Sequence, residues 1–235
     1  MNLLLIGAGG AAHHAYTPIL QLIRRRVLTV TLFDGDTFEK KNISRQALAI
    51  GGLGRNKAEV MADWLKTNTN ITVNPEGRWF FLGCGYPTMR RDDCIIVAAD
   101  NHRARREARN LADEVGCWLI SCACENTSGE AWAYHRMNKG TFLDPFSRWP
   151  ELETEDGDDP IKAEGCASEA AFDAHPQTPY GNMLAASMAV YLFNNTVLNE
   201  TSQEIYKPIY AHFTGGSLQA IRGFDVAAVA DASEG

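Results

Sequence analysis

Glycines, aspartates, an arginine and a lysine give this sequence its candidate chemistry. Gly7, Gly9 and Gly10 follow a short apolar run at residues 3–6. A first glycine permits a tight bend and a second lets a phosphate approach the backbone. The helix that follows offers an anion its free N–H groups and the positive end of its dipole. Such a turn fits NAD, FAD and ATP binders alike. Asp34 ends a second apolar run, where a carboxylate can accept hydrogen bonds from both ribose hydroxyls. This again suits NAD and ATP equally. Asp36, two residues on, reads as a supporting or loop-capping carboxylate.

The next stretch separates the two cofactors. Asn42-Ile43-Ser44-Arg45-Gln46 gathers two carboxamides and a guanidinium, and Arg45 can fork onto phosphate oxygens. Lys57 opens a later helix and can reach a triphosphate as a point charge. Asp100, followed by Asn101, comes just after the apolar run 94–98. A lone carboxylate beside phosphates is a common way to hold Mg²⁺, which keeps most of its waters. A dehydrogenase has no need of a lysine, an arginine and a magnesium carboxylate around its pyrophosphate. A nucleotidyl-transfer site does, because the leaving pyrophosphate carries charge that must be neutralised.

These residues need elements to position them. Apolar runs at 3–6, 28–33, 94–98 and 118–123 read as strands, and 71–73 and 79–82 as extended segments. Helical patterns cover 12–26 (with Pro18 kinking it or delaying its start), a segment carrying Arg45 and Gln46, then 56–66 with Val60, Trp64 and Leu65 on one side, and 103–115. Strand and helix in alternation predict a parallel sheet with right-handed crossovers. Gly9, Asp34 and Asp100 each follow a strand, so they are expected to converge on one crevice at the carboxyl ends. A strand of antiparallel type is expected at 131–134. The expected fold is therefore α/β, Rossmann-like and doubly wound, with a mostly parallel sheet and an antiparallel C-terminal extension.

One domain over residues 1–235 is expected. Its parts are a core at 1–135, a solvated acidic loop at 146–169, and a late helix at 180–195 within an extension at 176–224. A disordered tail at 225–235 completes it. A net charge of −7 argues against nucleic acid or an anionic membrane as partner. The apolar start has no basic leader, and six scattered cysteines form no disulfide frame, so the expected location is the cytoplasm.

The series Gly7-Ala8-Gly9-Gly10, Phe33-Asp34-Gly35-Asp36, Asn42-x-x-Arg45-Gln46, Gly54-Arg55-Asn56-Lys57-Ala58 and Ala99-Asp100-Asn101-x-x-x-Arg105 resembles the ThiF/MoeB/ubiquitin-activating superfamily. The likeness is close over 1–135 and looser beyond. It implies ATP-dependent adenylation of the C-terminal carboxylate of a ubiquitin-like or sulfur-carrier-like protein ending in Gly-Gly. It also implies a homodimer. Asp34 would hold the ribose. Asn42, Arg45 and Lys57 would line the phosphates with Gln46 in support, and Asp100 would bind Mg²⁺. The rival readings are a non-catalytic module of the same fold that binds nucleotide and recruits a partner, and an NAD(P)-dependent oxidoreductase.

Some features depart from the family pattern. Family members often carry an N-terminal extension that donates an arginine to the partner's site, and this sequence opens on its first strand, so that donor is expected to be missing. No paired Cys-x-x-Cys is present, so no zinc is expected; Cys122 and Cys124 share one face of a strand and read as core thiols. Cys166 is the candidate thioester acceptor, although Glu164 and Glu169 beside it oppose the lowered pKa such a thiol needs. His13 and His14 are expected at solvent or a dimer seam, Trp79-Phe80-Phe81 in the core or an interface, and 206–213 as a strand able to receive a partner's tail.

Overall fold

The computed structural model describes residues 1–99, 101–124, 128–141, 143–154, 178–198, 209–214 and 217–222. Asp100, Cys166, the tail at 225–235 and the acidic stretch from 155 onward lie outside the described residues. Among the described residues, eight strands form one sheet in the order β3-β2-β1-β4-β5-β6-β7-β8. Strands β1 (Asn2–Ile6), β2 (Thr29–Phe33), β3 (Asn74–Glu76), β4 (Cys94–Val97) and β5 (Trp118–Cys124) are parallel. Strands β6 (Ser128–Tyr134), β7 (Ile209–Thr214) and β8 (Ser217–Arg222) continue the sheet antiparallel. This is the mixed α/β architecture expected from the sequence.

The two-residue period of a strand divides the core. Leu3 and Leu5 of β1 face one side, with Val30, Leu32, Ile96 and Ile120. They pack against α1 (Gly10–Ile23), α3 (Lys57–Thr69) and α7 (Pro179–Phe193). Leu4 and Ile6 face the other side, with Ile95, Val97 and Leu119, against α4 (His102–Val115). Helices on both faces explain why the central parallel strands are apolar throughout.

Local chemistry sets the helix ends. Helix α1 starts at Gly10, two residues ahead of expectation, and Pro18 stands within it without delaying its start. It buries Ala11, Ala12, Ala15, Tyr16, Ile19, Leu20 and Ile23, a helical period that outweighs the hydrogen bond lost at proline. The N-cap of α3 is Asn56, whose side chain accepts from Ala58 N and Glu59 N, and its C-cap Asn70 takes φ +58.

Several expectations need correction. Arg45 and Gln46 sit on successive turns between a 3-10 turn (Lys40–Asn42) and the short α2 (Ala49–Gly52), because the Asn42 carbonyl accepts from both of their backbone amides. Neither 71–73 nor 79–82 is a strand. Ile71 and Val73 drop into the core from a loop, and β3 lies between the two segments at the sheet edge, where Pro75 is tolerated. Trp64 is partly exposed at the surface beside the His13 ring rather than aligned with buried Val60 and Leu65. The acidic segment does not begin as a solvated loop. Pro145–Arg148 forms α5 and Glu151–Thr154 forms α6, and Phe146 and Leu152 are buried with Trp132 and Tyr134. Strand β7 has β6 on one side and β8 on the other, so neither of its edges is open to a partner's tail. Among the described residues, no helix is long and apolar enough to cross a membrane.

Candidate functional site

A cleft opens at the carboxyl ends of the parallel strands, where β1 has β2 on one side and β4 on the other. Its near wall is the turn from β1 into α1. Gly7 takes φ +93, and a Cβ there would lie 2.7 Å from the Ala98 carbonyl oxygen. Only glycine accepts both constraints. Around Gly9 the nearest atom to an added Cβ is Gln46 Nε2, at 4.0 Å, so the backbone is open to a ligand. The Tyr16 hydroxyl ties the turn down from below by donating to the Gly7 carbonyl at 2.8 Å.

Asp34 lies buried at the end of β2. Its Oδ2 accepts from Ala8 N at 2.6 Å and its Oδ1 from Asp36 N at 2.8 Å. Each oxygen keeps a further lone pair for a ligand hydroxyl. Burial raises its pKa to about 6, against the opposing pull of Lys57 and the two backbone donors. Lys57 Nζ meets Asp36 Oδ2 at 2.8 Å. Asn56 donates to the carbonyls of Asp34 and Asp36, which pins the start of α3 to the end of β2. Arg45 and Gln46 also line the cleft, both buried, and Gln46 Oε1 has no hydrogen-bond partner among the described residues.

The structure thus brings Gly7, Gly9, Gly10, Asp34, Asp36, Arg45, Gln46, Lys57 and Asn101 to one cleft. Asn101 contributes with its side chain already engaged, since its Oδ1 caps α4 by accepting from Ala104 N at 2.7 Å. Asn42 is not among the lining residues. Its Oδ1 accepts from Glu39 N at 2.9 Å, a loop-closing role beneath the cleft. Arg105 steadies the β4–α4 loop by donating to the Ala99 carbonyl at 3.3 Å and pairing with Glu130 at 3.5 Å.

Sequence reasoning missed other lining residues. Trp79, Phe80 and Phe81 form an aromatic wall beside Asp34, with the Trp79 ring so close to Gly35 that a Cβ there would approach it to 2.6 Å. An aromatic run beyond the edge strand of a parallel sheet was the available signal. Arg103, Cys124 and Asn182 also line the cleft. Asn182 announced itself only as a lone carboxamide in the first turn of an otherwise apolar helix. Both strand thiols border the cleft; Cys122 is buried, with its pKa pushed up to about 12 by burial, and Cys124 is partly exposed. Among the described residues, no group of three or more His, Cys, Asp or Glu could hold a metal. The carboxylate assigned to Mg²⁺, Asp100, is outside them.

Fold and cleft together define a Rossmann-like α/β protein with a glycine turn, a strand-end carboxylate and a cationic wall at the switch point. A family model described as the ThiF family matches residues 1–224, and the chain belongs to that family. Over 135 residues it is 25% identical to the adenylyltransferase and sulfurtransferase UBA4 of Yarrowia lipolytica, covering 57% of this chain and 33% of the relative. The crystal structure of E. coli MccB with MccA superposes with a TM-score of 0.65 at 17% identity, over 96% of this chain and 65% of MccB. That of PaaA gives 0.62 at 16%, over 96% of this chain and 64% of PaaA. The chain therefore spans a third of the curated relative and just under two thirds of these solved chains. At such identities the structural likeness speaks for the fold alone.

Proposed function

We propose that this chain is an ATP-dependent adenylyltransferase that activates the C-terminal carboxylate of a ubiquitin-like protein ending in Gly-Gly. The observation that carries the reading is the convergence of Asp34, Arg45 and Lys57 on the glycine turn within one cleft. Membership of the ThiF family and the likeness to an adenylyltransferase support it, as does the existence of an ATP-bound crystal form of the similarly folded MccB.

In this reading Asp34 accepts from the ribose hydroxyls, and the aromatic wall of Trp79 and Phe80 takes the base. The open backbone at Gly9 and the N-terminus of α1 receive the phosphates. Arg45 and Lys57 neutralise the charge that gathers on the leaving pyrophosphate, in a cleft where fixed cations act more strongly than in water. Asp36 holds the Lys57 ammonium in place. Asp100, outside the described residues, is the carboxylate that would hold Mg²⁺, whose charge would add to this neutralisation. The acceptor carboxylate oxygen bonds to the α-phosphorus as the bond from that phosphorus to the bridging oxygen breaks. Pyrophosphate leaves with the electron pair and no proton moves. Rate comes mainly from alignment and charge. A second copy of the chain is the expected partner in assembly, and Cys166 is the candidate thiol for any later thioester.

Exchange of labelled pyrophosphate into ATP, dependent on a partner protein ending in Gly-Gly, tests the reading. Exchange lost in both Lys57→Ala and Arg45→Ala supports it. A wild-type chain that binds no ATP, or exchange indifferent to both substitutions, overturns it.

A further inference from the structure

Helix α1 begins without a side-chain cap. Its N-cap Gly9 makes no side-chain hydrogen bond, and no acid stands in its first turn. Its amides therefore look into the cleft with only ligand or water to satisfy them. Directly against this helix start lies the Asn182 carboxamide, carried in from the far end of the chain by the first turn of α7. A Cβ on Gly10 would fall 2.2 Å from Asn182 Nδ2, so glycine at position 10 is what admits the carboxamide.

Asn182 is 2% exposed and lines the cleft, yet its Nδ2 has no hydrogen-bond partner among the described residues. A buried amide donor left unmade costs about 1–3 kcal/mol. Its other end is held, because Asn182 Oδ1 accepts from Cys124 Sγ at 2.7 Å. This contact with a thiol at the end of β5 orients the amide with its N–H groups toward the cleft.

The position matters. Asp34 ends β2, the turn ends β1, and Cys124 ends β5, beyond β4. With strands about 4.8 Å apart, the Cys124–Asn182 contact lies roughly 14 Å across the sheet from Asp34. A nucleotide with its ribose at Asp34 and its phosphates over Gly9 leaves this corner for the acceptor.

We infer that Asn182, together with the N-terminus of α1, forms the oxyanion subsite for the acceptor carboxylate, with Cys124 as the positioning residue. The inference rests on the adenylyltransferase reading. One carboxylate oxygen bonds to the α-phosphorus; the other accepts from Asn182 Nδ2 and remains as the carbonyl oxygen of the acyl adenylate.

Calorimetry on the full chain tests this with two probes, ATP and 5′-O-(glycylsulfamoyl)adenosine, which carries a glycyl carbonyl where the acceptor's would be. In Asn182→Ala the second probe is expected to bind about tenfold more weakly while ATP affinity stays within about twofold. Unchanged ATP binding also shows that the variant is folded. Asn182→Asp, with an acceptor oxygen in place of the donor, is expected to weaken the acyl probe further. Cys124→Ser, which keeps a donor, is expected to retain wild-type preference, and Cys124→Ala to lose part of it. Equal losses for both probes in Asn182→Ala would make the ligand a nucleotide phosphate and overturn the inference. So would full acyl-probe affinity in Asn182→Asp. A wild-type chain that binds neither probe would instead refute the adenylyltransferase reading.

Discussion

The Lys57 ammonium and the Asp36 carboxylate meet at 2.8 Å in the wall of the cleft, joining the loop after β2 to the first residue of α3. The pair holds a cation in a fixed place before any phosphate arrives, which lowers the ordering cost of binding one. Lys57→Ala is expected to reduce pyrophosphate exchange about 100-fold. It should also destabilise the fold by about 1–3 kcal/mol, because Asp36 loses its counter-charge in a mostly buried place. Exchange kinetics and urea denaturation measure the two effects separately. Exchange that survives at the wild-type rate would remove Lys57 from the chemistry.

Asp34 makes nucleotide binding pH-dependent. Burial raises its folded-state pKa from 3.8 to about 6, so the fold binds a proton that the unfolded chain has already released in that interval. Its contribution to stability is therefore most favourable below the lower value, declines as pH climbs to about 6, and is level above. Binding runs the other way, since only the carboxylate offers both oxygens as acceptors to the ribose. ATP affinity is expected to fall as pH drops through about 6, with Lys57 and Asp36 as the charged neighbours that set the midpoint. In Asp34→Asn that pH dependence should vanish. Titration calorimetry across pH 5–8 is the check, and a flat profile in the wild type would exclude a ribose-holding Asp34.

Gly7→Ala is expected to cost about 2–4 kcal/mol, from strain at positive φ added to the collision with the Ala98 carbonyl. Gly9→Ala, with nothing nearer than 4.0 Å, should leave stability nearly unchanged while weakening ATP binding. Denaturation and binding measured on the same two variants separate a glycine needed by the fold from one needed by the ligand.

Four of the five parallel strands were legible as apolar runs, and 94–97 and 118–124 fall close to where the pattern put them, whereas the polar edge strand β3 carries no such run. The turn at Gly7 and the carboxylate at Asp34 follow from the same logic. Other features were not local properties. Ile71 and Val73 look like strand residues, but tertiary packing draws them into the core from a loop. The run Trp79-Phe80-Phe81 reads as core or interface, and Phe80 is indeed core, but nothing nearby in sequence reveals that the neighbour of Trp79 in space is Gly35, just past the end of β2. Asn42 was assigned a phosphate by resemblance, whereas its carboxamide closes a loop on Glu39.

Trp79 supplies an optical readout of that hidden wall. Stacking of adenine on its indole is expected to quench its fluorescence, and Trp79→Ala to lower ATP affinity about tenfold. Quenching that persists in Trp79→Phe would place the base against another tryptophan.

Helix α7 packs on α1 although more than 150 residues of chain separate them. A ribosome releases the glycine turn long before the carboxamide that leans on it. The nascent N-terminal half can close its parallel strands early, but its ligand pocket stays unfinished until the last third of the polypeptide folds back. Premature termination would then yield products with an intact-looking nucleotide turn and an incomplete acceptor corner, and maturation of the pocket would be slowed by the long chain closure it requires.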